Sequence, residues 1–553
     1  MKTIKLILVF IAAFITQAAI SQQQTVGIFF NTPEAFNGYT LLSPLAGTTT
    51  YLIDNCGEVV NKWESDATPG LASYLTPEGN LVRCKATENS VFHGRSSGAI
   101  EVFNWEGELL WEYVISNDTN CRHHDVECLP NGNFLFIVWD YHTKEELIQA
   151  GRVNAQREIW SEKIIEVQPD YENGGGTIVW EWKVWDHLIQ DVYPNLDNYG
   201  IVEDNPQRVD INYLGEIENS VDWLHINSVD YNAELDQIVV SSHNLSEIWI
   251  IDHSTTTQEA ASSSGGNCGK GGDLLYRWGN PRAYKRGTVN DQKFFLQHDA
   301  VWIPDGQLDE GMIMVYNNRA GSPYGLDYSS VDVINPPLLD DGNYLFENAA
   351  YAPAELHWTY VAENPTDFYS SNISGSNRLP NNNTLICEGR TGRLFEVDYD
   401  GNIVWQYVNP IGMNGITPQY AQPQLNLVFK VERYAPDFEG FVGRELIPQG
   451  HIEPGTFVEC EIYEGTNINV ERFYVNGDFD VFPNPASSLL NVQWDYTNVD
   501  KIQITDINGN LLVETPAYTN SMVIDVSCFS EGIYIVSLLY KGNLVSSEQV
   551  VVM

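Results

Sequence analysis

The sequence predicts an all-β protein in which a six-bladed β-propeller is followed by a small C-terminal β-sandwich. Short runs rich in β-branched and aromatic residues are separated by Asn-Gly, Asp-Gly and Glu-Gly turns, and long segments with helical periodicity are scarce. The runs form a repeat of four strands, which is typical of a propeller blade. Near the C-terminus this repeat stops and short alternating strands follow, which predicts a separate β-sandwich.

The N-terminus has the pattern of a secretory signal peptide. Two lysines precede an apolar run over residues 6–15, and small residues at positions 19 and 21 precede Gln22. The sequence therefore predicts a signal peptide at residues 1–21. The apolar run is too short to span a bilayer, and no later segment reaches the ~20 apolar residues of a membrane helix. We expect an exported protein without a transmembrane helix.

Each repeat unit has two halves. The first half is a strand, a turn with Pro, Asn or Gly, and a second strand; the second half is an apolar strand, a turn and a strand that carries Trp or Tyr. The first halves are LASYLTPEGNLVRC, HDVECLPNGNFLFIVWD, HINSVDYNAELDQIVVSS, HDAVWIPDGQLDEGMIMVY and SGSNRLPNNNTLICEG. In the fourth unit, which is irregular, we expect the outer strands at residues 331–334 and 357–363.

The two ends of the repeat region complement each other. TYLIDNCGEVVNKW at residues 50–63 is a second half without a first, and LNLVFKVERY at residues 425–434 resembles a first half without a second. Joined, they complete a sixth blade and close the ring, which removes exposed sheet edges. We therefore predict a propeller over residues 22–465, a linker over 466–479 and a sandwich over 480–553.

The C-terminal module carries a recognisable pattern. It opens with VFPNPA and its later part contains GIYIV. These motifs resemble the C-terminal sorting domain of the type IX secretion system of Bacteroidetes. The resemblance implies export across the outer membrane, with the type IX machinery as a partner. The protein would then be secreted or held at the cell surface, with its tail removed or used for attachment.

The composition limits the classes of partner. The formal net charge of −45 argues against nucleic-acid binding, which needs basic stripes. An anionic substrate would be repelled unless the site concentrates positive charge locally. The acidity also serves solubility outside the cell.

The eight cysteines include no Cys-x-x-Cys pair. Cys121 and Cys128 are close enough in sequence to form a disulfide, and export permits one. Buried free thiols are the alternative. The sequence does not determine the connectivity.

Histidines recur at the start of the first strand of the repeat. In the five units the aligned position is occupied by Leu71, His124, His225, His298 and Ser374. The innermost strand of each blade lines the central channel of a propeller, so the three histidines are predicted to meet at one mouth as catalytic residues. Asn227 and Ser374 are predicted to bind substrate beside them. A hydrogen-bonded structural role is the alternative for any one histidine.

Imidazole can act as a nucleophile, an acid or base, or a metal ligand. The sequence has no His-Glu-x-x-His pair, so a zinc site would rest on convergence of the blades alone. No nucleotide-binding loop is complete either: GGNCGKGG lacks the first glycine and the Ser or Thr of a phosphate loop. We expect no metal and no cofactor.

A second feature favours an anionic ligand. The second strand of the fourth unit ends in MIMVYNNR, which places Asn318 and Arg319 near the predicted channel mouth. A guanidinium there could bind a sulfate or phosphate through two parallel hydrogen bonds. An exposed loop arginine without a ligand is the alternative.

Four segments together resemble the bacterial arylsulfate sulfotransferases: DWLHINSVDYN, the HHD…LPNGN unit, QHDAVWIPDG with the following NNR, and GRLFEVDYDGNIVWQYVNP. The resemblance spans roughly residues 28–450. It implies a six-bladed propeller that moves a sulfuryl group from an aryl sulfate donor to a phenolic acceptor through a sulfated histidine, without a nucleotide donor. It also implies that His225 and His298 are active-site histidines and that Arg319 binds sulfate.

The most serious departure from the family concerns the sulfated histidine. In the family the sulfated histidine lies in the unit after the His298 unit, and here that unit begins with Ser374. Three interpretations follow. The protein is a sulfotransferase whose nucleophile is another channel histidine, a hydrolase-like or metal-assisted enzyme on the same ring, or a propeller that binds sulfated or phenolic ligands without catalysis.

Overall fold

The computed structural model describes residues 24–92, 97–217, 220–347, 349–455, 458–463, 479–494, 499, 501–506, 511–517, 520–530, 532–540 and 543–553. The chain divides into two compact units, residues 1–467 and 468–553. The predicted signal peptide and all but the last residue of the predicted linker lie outside the described residues.

Within its described residues, the first unit contains six large antiparallel sheets, and the strands of each follow in order from the innermost to the outermost. Sheet 1 consists of Pro69–Leu75, Leu81–Lys85, Ala99–Phe103 and Leu109–Val114. Sheet 2 consists of Asn120–Cys128, Phe134–His142, Ile159–Pro169 and Gly176–Lys183. Sheet 3 consists of Ile226–Asn232, Gln237–Ser242, Glu247–Asp252 and Tyr276–Trp278. Sheet 4 consists of His298–Trp302, Ile313–Asn317, Ser330–Ile334 and Trp358–Tyr360.

The last two sheets use strands from both ends of the unit. Sheet 5 consists of Gly375–Arg378, Thr384–Glu388, Arg393–Val397 and Ile403–Val408, with Gly27–Asn31 as a fifth strand. Sheet 6 consists of Glu432–Tyr434, Tyr39–Leu42, Thr49–Ile53 and Val59–Glu64.

Buried apolar clusters join the sheets into a ring. Five of them pack between successive sheets from 1 to 6, and another packs sheet 6 against sheet 1, with Trp63 and Phe103 on its two sides. Burying a large apolar side chain contributes about 1.5–3 kcal/mol, so these layers dominate the stability of the ring. The prediction of an all-β propeller is confirmed, and the predicted number of blades equals the number of large sheets.

Sheet 6 differs in one detail from the expectation. The C-terminal side supplies a single strand, Glu432–Tyr434, and the second strand of the sheet is Tyr39–Leu42. Leu427 instead accepts a hydrogen bond from the Leu45 amide, and Val428 forms an isolated bridge with Pro44. The pairing of the two ends is nevertheless as predicted.

The disulfide of the described chain is not the one that sequence proximity suggested. Cys56 is bonded to Cys460, 404 residues away. Cys121 and Cys128 lie in the same inner strand of sheet 2. Seven residues of extended chain separate their Cα atoms by about 23 Å at ~3.3 Å per residue, which no disulfide can span.

Short elements connect the sheets. Two α-helices, Lys144–Gln149 and Thr257–Ala260, each begin with a Thr–Glu capping box. Two-stranded ladders pair Leu188–Ile189 with Val209–Asp210, Phe346–Glu347 with Ala350–Tyr351, and Ile411–Gly412 with Gly415–Ile416. Single 3₁₀ turns occupy Val184–His187, Val202–Asp204, Pro281–Tyr284, Val289–Asp291, Ser322–Tyr324, Pro365–Asp367 and Glu439–Phe441.

The second unit is built from two antiparallel sheets around one core. One sheet has the order Phe479–Phe482, Leu489–Trp494, Ser521–Asp525, and the other has the order Leu511–Pro516, Lys501–Asp506, Gly532–Tyr540, Asn543–Val552. A single buried cluster contains Leu490 and Trp494 from the first sheet and Ile502 and Val536 from the second. This is the small β-sandwich that the sequence predicts.

Across the described residues, no helix combines the length and apolarity needed to cross a membrane.

Candidate active site

The inner strands place the histidines through local irregularities. In sheets 2, 3 and 4 the pairing of the innermost strand shifts at or beside the histidine, so each strand carries a β-bulge there. His124 and His225 have φ values of 54° and 51°, in the left-handed region. A non-glycine residue held there costs on the order of 1–3 kcal/mol, and such residues cluster at functional sites. The bulges aim the imidazole rings toward the channel.

Four histidine rings form a row. The ring centroids of His124 and His225 are 4.5 Å apart, those of His225 and His243 are 5.1 Å apart, and those of His243 and His298 are 5.0 Å apart. Phe429 lies 6.0 Å from His124 and 6.3 Å from His298. The structure therefore brings together the three predicted histidines and adds His243 between two of them.

His225 is oriented by a carboxylate. Its Nδ1 atom lies 2.5 Å from Asp222 Oδ2, so Nδ1 carries the proton when the ring is neutral. Burial disfavours the charged ring, but the charge and hydrogen bond of Asp222 outweigh it and raise the pKa of His225. Its side chain is 27% exposed, and Nε2 has no hydrogen-bond partner in the described part of the chain. Asp222 therefore fixes the orientation of the ring, and Nε2 is accessible to a ligand.

His243 is held as a neutral ring. Its Nδ1 atom donates to Asn244 Oδ1 at 2.7 Å, which leaves a lone pair on Nε2. Burial, the neighbouring His298 and His225 rings and the charge of Arg319 hold the pKa of His243 well below its usual value. An uncharged histidine beside His225 can accept a proton during a reaction.

Both ring nitrogens of His298 are engaged. Nδ1 donates to Asn318 Oδ1 at 2.8 Å, and Nε2 accepts from the Ile373 amide at 3.2 Å. Burial lowers the pKa of His298 to about 3, so the ring stays neutral. With both nitrogens satisfied and only 2% of the residue exposed, His298 has no free lone pair for attack.

His124 contacts a second histidine. The Nδ1 atoms of His123 and His124 are 2.7 Å apart, so one donates to the other. His123 stacks on Trp139 with ring centroids 4.0 Å apart. Burial and the neighbouring rings hold the pKa of both histidines well below the usual value. The pair forms an uncharged wall at one end of the row.

Arg319 differs from the histidines because it is exposed. Its amide donates to the Phe295 carbonyl, which fixes the backbone, and no hydrogen bond or ion pair holds its guanidinium within the described residues. After burial and the neighbouring His298 and His225 rings, the charge of Arg319 also lowers the pKa of His243. Arg319 thus supplies positive charge beside the histidine row, and its role in sulfate binding stays a prediction.

The three predicted substrate-binding polar residues are buried. Asn318 donates to the Ser370 carbonyl and to Ser374 Oγ at 3.0 Å, and Ser374 has no exposed surface. Asn227 donates to the Gln297 carbonyl and is also fully buried. In this arrangement all three side chains support the channel wall rather than face its solvent.

Asp222, His123 and His243 were missed at the sequence level. His243 directly follows the second strand of its unit, just as Asn318 and Arg319 follow the second strand of the next unit. The rule that selected Arg319 could therefore have found His243. Asp222 lies three residues before His225 in an irregular segment, where no periodicity indicates which side chain turns back.

The described residues include no group of three or more His, Cys, Asp or Glu side chains that could hold a metal ion.

Fold and site together define a propeller whose channel mouth carries a histidine row and the exposed Arg319. Residues 46–404 match the family model described as arylsulfotransferase (ASST), and the chain belongs to this family. Residues 480–553 match the secretion system C-terminal sorting domain. Both predicted resemblances are confirmed, and the sorting domain indicates export. No curated protein matches the sequence.

Several solved structures are similar at low identity. A protein of unknown function from Bacteroides caccae is 12% identical, with a TM-score of 0.39, over 71% of this chain and 98% of its own. The periplasmic gluconolactonase of Pseudomonas aeruginosa is 10% identical, with a TM-score of 0.34, over 93% and 99%. Virginiamycin B lyase from Staphylococcus aureus is 10% identical, with a TM-score of 0.31, over 70% and 89%. Likeness at this level says nothing about activity.

Proposed function

We propose that this protein transfers a sulfuryl group from an aryl sulfate to a phenol, with His225 as the nucleophile. One observation carries the proposal: the Nε2 atom of His225 is unpartnered within the described chain while Nδ1 is bonded to Asp222. A base oriented by a carboxylate on its far nitrogen is the arrangement that activates imidazole. Membership of the arylsulfotransferase family supports the reaction class.

The first step forms the sulfated enzyme. The Nε2 lone pair of His225 attacks the sulfur, an N–S bond forms, and the bond from sulfur to the aryl oxygen breaks with its electron pair. Aryl oxide is a stable leaving group, since a phenol has a pKa near ~10. Asp222 stabilises the positive imidazole ring that results, and Arg319 interacts with the sulfuryl oxygens.

The second step transfers the group to the acceptor. The phenolic oxygen attacks the sulfur, the N–S bond breaks, and its electron pair returns to Nε2 of His225. The phenolic proton passes to Nε2 of His243, whose lone pair is free and whose ring adjoins that of His225 at 5.1 Å. The donor leaves before the acceptor reacts, so we expect ping-pong kinetics.

The other members of the row serve different roles. His298 has both nitrogens bonded, so it supports Asn318 and the wall rather than attacking sulfur. His124 presents its remaining nitrogen next to His225 and assists in binding the sulfuryl oxygens. Ser374 is buried, so it does not replace the histidine that the family has in that unit.

The route out of the cell follows from the two ends of the chain. We infer that a signal peptide at residues 1–21 directs the first export step and that the type IX machinery reads residues 480–553. The matching sorting domain supports the second step.

The function is tested with purified protein, a chromogenic aryl sulfate and a phenolic acceptor. We expect sulfated acceptor, with initial rates that give parallel double-reciprocal lines. His225→Ala should abolish turnover, whereas His357→Ala, which removes a half-exposed histidine of sheet 4's outer edge, should not. Free sulfate as the main product would indicate a hydrolase, and no turnover would indicate a binding propeller. Turnover that survives His225→Ala would overturn the assignment of the nucleophile.

A further inference from the structure

Beneath the histidine row, one lysine connects the two blades that carry His124 and His298. Lys430 Nζ lies 3.1 Å from Asp125 Oδ2 and 2.8 Å from Asp299 Oδ1. These aspartates directly follow His124 and His298 in the chain. The lysine side chain is 4% exposed, and the aspartate side chains are 0% and 3% exposed.

Each aspartate is also fixed to a neighbouring strand. Asp125 accepts from the Tyr74 hydroxyl at 2.7 Å, and Asp299 accepts from the Ser376 amide at 2.8 Å. The space is tight: a Cβ added at Gly375 would lie 2.6 Å from the Lys430 Cβ and 2.7 Å from Asp299 Oδ2. The network thus joins sheets 1, 2, 4 and 5 to the segment that leads into sheet 6.

Backbone geometry makes the connection important for the site. His124 and Asp299 both have positive φ values, 54° and 55°, at the bulges that aim the rings. Conformations of this kind persist when surrounding contacts hold them. Phe429, the residue before Lys430, contacts the rings of both His124 and His298. One short segment therefore contacts both histidines and both aspartates.

We propose that Lys430 is a positioning residue, which holds the His124 and His298 blades in register by bridging Asp125 and Asp299. Those tests of this proposal that measure activity rest on the proposed function, and the NMR test does not. The charge of Lys430 has a second effect, because it compensates the carboxylates of Asp125 and Asp299, which follow His124 and His298 in the chain. Removing it would leave those carboxylates unpaired under the rings.

Other groups face Lys430 as well. The titratable side chains that act on it or on its partners are Asp125, Asp299, Glu432, Glu127, Asp230 and Tyr74. Burial raises the pKa of Glu432 to about 8 and that of Asp230 to about 7. Deprotonation of these two groups adds negative charge below the row as pH rises through neutrality, and the ammonium group of Lys430 opposes it.

The test compares Lys430→Met with Lys430→Arg and with Lys85→Met. Lys85 is a matched control, because it is 11% exposed and bonded to Asp66, Glu101 and Glu112 away from the row. We expect Lys430→Met to lower kcat/KM by on the order of 10²-fold, since small displacements of reacting groups have costs of this size. The acid limb of the kcat/KM profile should lie at higher pH in Lys430→Met than in the wild type. Lys430→Arg should restore both the value of kcat/KM and the position of this limb. Lys85→Met should lower Tm and leave the pH profile unchanged.

Two further variants keep the proposal testable if Lys430→Met does not fold. Asp125→Asn should shift the ring NMR signals of His298 as well as those of His124, and Asp299→Asn should shift those of His124 as well as those of His298, because either change weakens the bridge. If the wild-type protein has no sulfotransferase activity, the proposed function fails, but this NMR comparison still decides the role of Lys430. Effects confined in each variant to the adjacent histidine, or a Lys430→Met profile like that of Lys85→Met, would overturn the proposal.

Discussion

Nδ1 of His225 donates a hydrogen bond to Oδ2 of Asp222 at 2.5 Å, which leaves Nε2 of the same ring directed toward the channel. The other three rings of the row lack a carboxylate partner within the described chain, and their pKa values are lowered while that of His225 is raised. A raised pKa indicates a more basic nitrogen, which is the better nucleophile within such a group.

Replacing Asp222 with Asn tests this relationship. The pKa of His225 should fall without the carboxylate, so the acid limb of kcat/KM should move to lower pH. The maximal rate should drop by about 10²-fold or more, since the ring loses its orientation and its stabilising charge. Steady-state rates over pH measure both effects. Asp236→Asn is the matched control, because Asp236 bonds Nδ1 of His253 away from the row, and an equal loss of rate there would contradict the account.

Ser374→Ala separates a structural serine from a substrate-binding one. Ser374 Oγ accepts from Asn318 Nδ2, and its removal leaves a buried amide hydrogen unpaired. We expect a loss of about 1–3 kcal/mol in the free energy of unfolding and little change in kcat. Chemical denaturation and initial rates measure the two quantities. An unchanged stability with a large rise in KM would instead place Ser374 on the substrate.

The channel histidines and Ser374 show how much of the site the sequence predicts. The repeat alignment found three of the four histidines in the row because a repeated strand start brings the same position to the channel in each blade. In the fifth unit the residue with positive φ is Ile373, whereas His124 and His225 occupy that position themselves. Ser374 therefore follows the residue with the positive φ, and a shift of one residue turns a strand side chain to the opposite face.

The fold was more predictable than the contacts of the site. Alternating strands and Asn-Gly turns are local signals, and they predicted the outer strands of the irregular fourth sheet close to Ser330–Ile334 and Trp358–Tyr360. Lys430 and the Cys56–Cys460 disulfide depend on contacts between distant segments, and the contact of Asp222 with His225 depends on an irregular turn. No local sequence pattern encodes such contacts, so only the structure reveals them.

His253 is expected to make stability depend on pH. Nδ1 bonds to Asp236 and Nε2 to Glu166, so both nitrogens donate and the ring is charged. Burial opposes this charge, but the two carboxylates outweigh it and raise the pKa of His253 above 6.5. Its contribution is fully present below the unfolded pKa of ~6.5 and is lost as pH rises through the higher folded value.

Thermal unfolding of the wild type and His253→Gln from pH 5 to pH 9 measures this contribution. The difference in Tm should be constant in the acidic half of that range and shrink toward the alkaline end. A difference that grows with pH would contradict the assignment of a charged ring. His357→Gln serves as the comparison, because His357 is 37% exposed and bonds one aspartate.

The buried pair Arg433–Glu396 should be essential to ring closure. Both side chains are 0% exposed, and they join sheet 5 to the inner strand of sheet 6. Glu396→Ala leaves a buried guanidinium unpaired, so we expect a loss of about 3–5 kcal/mol in unfolding free energy. Glu64→Ala, which breaks the exposed pair Lys62–Glu64, should change little. Equal effects in urea denaturation would show that burial does not govern these pairs.

The disulfide should stabilise the first unit. Cys56 and Cys460 close a loop of 404 residues, and removing a native disulfide typically costs about 2–5 kcal/mol. Cys460→Ser should therefore lower Tm, while Cys528→Ser, which changes an exposed free thiol, should not. Addition of a reductant should lower the Tm of the wild type to that of Cys460→Ser. A wild-type Tm insensitive to the reductant would contradict the assignment.

The sulfated enzyme itself is the most direct test of the account. The full chain is mixed with an aryl sulfate without acceptor, quenched in denaturant and digested, and its peptides are mapped by tandem mass spectrometry. We expect one sulfuryl group on the peptide that contains His225, lost on addition of a phenol and absent in His225→Asn. A sulfuryl group on His124, His243 or any other residue, or turnover with no adduct at His225, would contradict it.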